Sequence, residues 1–379
     1  MTGGFAGIER LQMSTIHREV RWKDGGVSSR AERLLSGPRG RRLCLELAMA
    51  ADPAVRTAAF ALGYQLDRGR GLSRVLLTLE SDQDSSEPGD EPAPTVAGLV
   101  SAVAALGGRR VEPGPIQSAL QRSVDFARYW QEPDGEDRLA ALPEVAAALL
   151  PLAEAVVESA EVAWWSQTFS TDQWFVQWQT SGGETIPQTP ISLTAWSEET
   201  RTAEAHAQRE RPRDPHANWS GEWWSVPVNA PKTVGRIPAG LGLVEDAPDW
   251  DHAVVVPVRC HGQVVEIASA DDWAQLCREF PLTVTASRRH DWFRTTGRDG
   301  AWVIPDWALV AREWDAIHLP VSAYLESAGR AIEVAKETAS VIAGWDPDTS
   351  IWLAGAQPAS AGAPQSWQRD DDNGWLLTR

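Results

Sequence analysis

The chain has 379 residues, with 35 lysines and arginines against 52 aspartates and glutamates, a formal net charge of −17, and 43% hydrophobic content. That composition is ordinary for a folded chain of two or three domains. The acidic excess opposes broad, sequence-independent contact with nucleic acid, which needs basic residues on phosphates, and it opposes an anionic membrane surface. No apolar run approaches the roughly 20 residues of a membrane span, and the first residues lack the apolar core of a secretory signal. A cytoplasmic location is therefore expected. Cys44, Cys260 and Cys277 form an odd set without a CxxC pair, which indicates neither a disulfide framework nor a thiolate zinc site.

In chain order, a basic irregular segment runs through Arg30. Ser28 or Ser29 then caps a short helix, AERLL, and RRLCLELAMA forms a second. Asp52 followed by Pro53 starts a third through AVRTAAFALGYQL. RVLLTLE reads as a strand. From Glu80 to Glu91 there are six acids and no bases, and prolines follow, so residues 80–94 are expected as an exposed loop or linker. Helices resume with TVAGLVSAVAAL, IQSALQRSVDFARYW and LAALPEVAAALLPLAEAVVESA, where Ala and Leu recur every three or four residues. Residues 1–160 read as a mainly α-helical domain.

After Ala160 the texture changes, because 18 of the 20 tryptophans lie between Trp164 and Trp375. WFVQWQ alternates as a strand, and the apolar runs Ala253–Val258 and Gln263–Ile267 flank a hairpin-like Arg-Cys-His-Gly. DDWAQLCREF and Asp306–Glu313 read as short helices, and Glu198–Arg213 as a surface helix or insertion. The expected fold is an α-helical N-terminal domain followed, over 161–379, by a Trp-rich α+β domain with a largely antiparallel sheet and a flexible tail from about residue 357.

Candidate ligand residues concentrate between Pro281 and Leu325. Leu282–Arg289 reads as a strand that puts Arg288, His290 and Trp292 on one face and Arg289 and Asp291 on the other. Arg288, Arg289, Arg294 and Arg298 against Asp291 and Asp299 leave a local +2 on an acidic protein, which suits an anion. The same arginines serve equally as a solvated, ion-paired surface. His318 and Tyr324 extend this set as donors and acceptors. The WWS triplets at Trp164–Ser166 and Trp223–Ser225 offer paired indoles that stack on a base, a nicotinamide or a sugar ring, or that simply fill a core.

The first expectation for function is a C-terminal domain that binds an anionic aromatic small molecule, such as a nucleotide or dinucleotide, with group transfer (ADP-ribosyl transfer in one version) drawing on Asp315, Asp346 or Asp348 to steady a cationic centre. No motif selects among the three, and no cofactor is specified. The alternative is a non-enzymatic scaffold whose Trp/Arg-rich surface binds a protein partner. Carbohydrate binding, which also uses indole faces and carboxylates, is a third class, and the expected lack of a secretory signal counts against it.

Overall fold

The computed structural model describes residues 26–68, 93–107, 113–180, 192–247, 250–353, 359–370 and 374–378. The strand read in RVLLTLE and the acidic segment up to residue 92 lie outside them. The N-terminal region is helical: α1 (Val27–Ser36), α2 (Pro38–Ala51), α3 (Pro53–Asp67), α4 (Val96–Leu106), α5 (Pro113–Asp125), α6 (Gly135–Ala140) and α7 (Pro143–Glu158). Local chemistry sets several of these starts. The Asp52 carboxylate accepts from the Ala54 N–H at 2.7 Å ahead of Pro53 at the first helical position, and Thr95 Oγ1 accepts from the Gly98 N–H at 3.1 Å. Gly107, at φ 58°, closes α4 in a conformation that disfavours any side chain.

The C-terminal region mixes helices with strands: β1 (Asp172–Gln179), α8 (Leu193–Glu210), β2 (Lys232–Val234), β3 (His252–Arg259), β4 (Val264–Glu266), α9 (Ala270–Glu279), β5 (Pro281–Thr283), α10 (Thr285–Thr296), β6 (Ala301–Pro305), α11 (Trp307–Val310), β7 (Ala316–Leu319), α12 (Val321–Ser327), β8 (Ile332–Ala335), β9 (Thr338–Ser340), β10 (Thr349–Trp352), β11 (Ala359–Ser360), β12 (Gln365–Arg369) and β13 (Trp375–Leu377). The larger sheet runs β13-β12-β3-β1-β2-β10-β7-β4, with β11 also on β3. Every pairing in it is antiparallel except β4 with β7. A smaller sheet runs β5-β6-β9-β8. The expected order, helices first and then a largely antiparallel α+β region, is what the structure shows.

Three local expectations are corrected. Leu282–Arg289 is not one strand: β5 ends at Thr283 and α10 begins at Thr285. The reason is tertiary, since Glu204 on α8 accepts from the Ala286 and Ser287 N–H groups at 2.9 and 2.8 Å and so supplies the cap that the local sequence lacks. The runs around Arg-Cys-His-Gly do not pair as a hairpin. Both edges of β3 are already taken, by β1 and by β12, and β4 lies parallel to β7 instead. The segment expected as a flexible tail holds three strands, and Gln365–Arg369 extends the large sheet on β3.

One continuous apolar core crosses the compositional break at Ala160. Leu43, Leu47, Val145 and Leu149 from the helices lie in the same buried cluster as Trp273, Trp307, Tyr324 and Trp345. Trp292 and Trp302 anchor a second cluster with Tyr129, Leu282 and Val341. Burial of large apolar rings on this scale is the dominant favourable term in folding.

Candidate functional site

The segment Glu222–Ser225 has no regular secondary structure, so its main-chain carbonyls need partners from elsewhere. Side chains supply them in succession. Trp292 Nε1 donates to the Trp223 carbonyl at 2.8 Å, Arg288 Nε to the Trp224 carbonyl at 3.3 Å, and Trp307 Nε1 to the Ser225 carbonyl at 3.0 Å. Arg288 Nη1 also donates to Glu222 at 2.7 Å. One turn along α10, the Asp291 carboxylate accepts from Ser220 Oγ and the Gly221 N–H. Arg288 and Trp292, expected on one face of a strand, share one face of a helix at i and i+4 and bond the carbonyls of the second WWS triplet.

In front of that triplet lies a cavity of about 370 Å³. Trp130, Trp223 and Trp224 line it as one connected group, with ring centroids 5.0 Å apart for Trp130 and Trp223 and 4.6 Å for the stacked Trp223 and Trp224. Trp178 and Trp250, stacked at 5.2 Å, form a second group. Gly344 permits the Trp224 placement. Its φ is 80°, and a Cβ there would lie 2.6 Å from Trp224 Cδ1.

The polar lining is acidic. Glu245, Asp246 and Asp346 face a single lining cation, Lys232, whose ammonium is 3.7 Å from Asp346. Asp346 Oδ1 also accepts from the Glu245 N–H at 2.9 Å. The strand pairing of Lys232 with Ile351 on β10 sets this neighbourhood, because Asp346 sits in the turn just before β10. Tyr129 donates its hydroxyl to Glu245 Oε1, and the Tyr324 hydroxyl sits close to the same carboxylate. Burial, reinforced by the charge of Asp346, raises the Glu245 carboxyl to about 7 despite the two tyrosines and Lys232. Near neutral pH such a group can both give and take a proton.

Of the other expected residues, His318 on β7 and Asp348 in the turn just before β10 come together. His318 Nδ1 is 2.8 Å from Glu266 and Nε2 is 3.7 Å from Asp348. Burial alone would lower this imidazole, but Glu266 and Asp348 raise it to about 9. His318 and Asp348 are buried, Glu266 is half-buried, and none of the three lines the cleft. Asp315 accepts from the Gln263 N–H at 2.8 Å and fixes the turn before β4. Arg289 donates to the Pro212 carbonyl. His290 is buried, and burial together with Arg289 holds it below the usual histidine value. Glu245, Lys232, Trp130 and Trp178 were not singled out from sequence. The available signal was the acidic run around Trp250, where Glu245, Asp246, Asp249 and Asp251 crowd one stretch.

Among the described residues, no group of three or more histidines, cysteines or acids could hold a metal ion, and no helix is long and apolar enough to cross a membrane. Comparison of the chain with protein-family models, with curated proteins and with solved structures found no match.

Proposed function

We propose that the cleft lined by Trp130, Trp178, Trp223, Trp224 and Trp250 binds an uncharged, ring-shaped polyol, with a mono- or disaccharide as the natural class. The observation that carries this reading is the pairing of indole walls with an acidic polar lining, in which the one cation is already engaged by Asp346. Indole faces stack on the apolar face of a sugar ring, and the carboxylates and Lys232 hydrogen-bond its hydroxyls. A volume of about 370 Å³ lies within the range of small-molecule sites. If the cleft is also catalytic, Glu245 is the proton donor and Asp346 the carboxylate that stabilises developing positive charge, since one carboxyl held near neutrality beside another divides acid and base roles between them.

Two other readings draw less support. A phosphate-bearing nucleotide in this cleft would meet three carboxylates, and Arg288, expected to hold its phosphates, is buried against Glu222 and the Trp224 carbonyl. A Trp-rich partner-binding surface would need exposed indoles, whereas Trp219 is the one exposed tryptophan among the described residues. The proposal is tested by titrating neutral saccharides against wild type and Trp223→Ala. Binding that the substitution removes supports it, and binding of nucleotides alone refutes it.

A further inference from the structure

A second cavity, of about 240 Å³, opens between the start of α2, the 126–134 segment and the turn at Gly329. Five arginines and three acids line it, a formal +2 on a protein whose net charge is −17. The acids are largely spoken for. Asp137 is bonded by Arg39, and Asp134 by Arg42 at 2.8 Å from behind the wall. Arg39 gives its other amino group to the Ser123 carbonyl at 2.8 Å, and Arg128 is paired with Asp246 at 2.9 Å.

Arg41, Arg138 and Arg330 remain. Arg41 Nη1 donates to the Leu35 and Ser36 carbonyls at 2.9 Å, yet its Nε is buried without an acceptor. Arg138 reaches only the Leu66 carbonyl, at 2.9 Å, among the described residues. Arg330 Nε is likewise buried without an acceptor, and its nearest carboxylate, Glu326, is 3.8 Å away. Partly buried guanidiniums whose donors are only in part satisfied leave hydrogen-bonding capacity and charge uncompensated, and an oxyanion would supply the missing acceptors. The burial of Arg41, opposed by Asp137 but reinforced by Arg39 and Arg330, holds its pKa below the ordinary arginine value.

We propose that this cavity binds a phosphate group through Arg41, Arg138 and Arg330. Planar guanidinium forks from three directions match the oxygens of a tetrahedral oxyanion, either as free phosphate or as the phosphate of an ester. Arg128 and Tyr129 at the rim of this cavity bond Asp246 and Glu245 of the tryptophan cleft, but Arg41, Arg138 and Arg330 do not line that cleft, and the proposal stands or falls on them.

The test is thermal denaturation of the full chain in inorganic phosphate up to about 20 mM, with sodium chloride matched for ionic strength. Wild type should show a saturable rise in melting temperature that chloride does not reproduce. Arg330→Gln, at a half-buried position, and Arg41→Gln/Arg330→Gln should weaken the response at least about tenfold, while circular dichroism in chloride shows both variants folded. If the double variant does not fold, Arg330→Gln alone decides. Glycerol phosphate separates the two sources: clearly tighter binding than inorganic phosphate indicates an ester, and equal binding indicates the free anion. No saturable shift with either phosphate, an equal shift from chloride, or an undiminished shift in a folded variant overturns the proposal. Trp250→Ala, on the cleft wall that does not reach this cavity, should leave the phosphate response intact, so failure of the cleft reading and failure of this one are distinguishable.

Discussion

The indole N–H of Trp292 donates to the main-chain carbonyl of Trp223 at 2.8 Å, and through that bond α10 fixes one wall of the tryptophan cleft. Trp292→Phe keeps most of the buried ring and removes the donor. It should cost about 1–3 kcal/mol in urea unfolding, because the Trp223 carbonyl loses its partner in a partly buried setting. An unchanged unfolding midpoint would show that the carbonyl is satisfied some other way.

Arg288 and Arg289 are adjacent in sequence and opposite in consequence. Arg288 is 1% exposed and joins Glu222 to the Trp224 carbonyl, whereas Arg289 makes one bond at the surface, to Pro212. Arg288→Gln should destabilise by about 1–3 kcal/mol, and Arg289→Gln by no more than about 0.5 kcal/mol. Chemical denaturation of the two single variants reads the difference, and equal effects would contradict the positioning role given to Arg288.

Glu245 and His318 give the pH dependence of stability the same sign. Glu245 is raised from 4.5 to about 7, so the stability it contributes in its neutral form is fully present below pH 4.5 and lost as pH rises through 7. His318 is raised from 6.5 to about 9, so its contribution is complete below pH 6.5 and lost as pH rises through 9. Melting temperatures measured from pH 5 to 9 should therefore fall, and Glu245→Gln should flatten the acid-side part of the decline. Stability that rises over this interval would be inconsistent with both assignments.

The three candidate aspartates should separate cleanly. Asp346→Asn touches the cleft and should weaken ligand binding, whereas Asp315→Asn alters a turn that bonds Gln263 and should leave binding unchanged. Asp348→Asn weakens the partner of His318 and should lower stability at neutral pH without a direct effect on the ligand. Isothermal titration paired with thermal melts of all three distinguishes these outcomes.

Much of the fold was legible because it rests on local signals. Asp52-Pro53 and Thr95 announce helix starts, and the alternation in WFVQWQ announces β1. What was not legible depends on distant partners. Nothing near Thr285 reveals that Glu204, more than 80 residues earlier, caps α10, and nothing near Val264 reveals that its strand partner is Ala316 rather than the preceding run. The site was partly visible. Asp346 and the Trp223–Ser225 triplet stand out for their chemistry, and Arg288 and Trp292 share a face under a strand period of two and equally at i and i+4 of the helix, which turns His290 away from them. Glu245 carries no motif, and its role follows from Tyr129, Tyr324 and Asp346 converging from three separate parts of the chain.

Whether the tryptophan cleft takes an uncharged sugar ring is decided by isothermal titration of wild type with cellobiose, maltose and N,N′-diacetylchitobiose beside ATP and NAD. At least one neutral disaccharide should bind at about millimolar concentration or tighter, Trp223→Ala and Asp346→Asn should each weaken it by about tenfold or more, and Arg289→Gln should not. Binding of ATP or NAD unaffected by those two substitutions, with no heat from any disaccharide, would contradict the sugar-ring proposal.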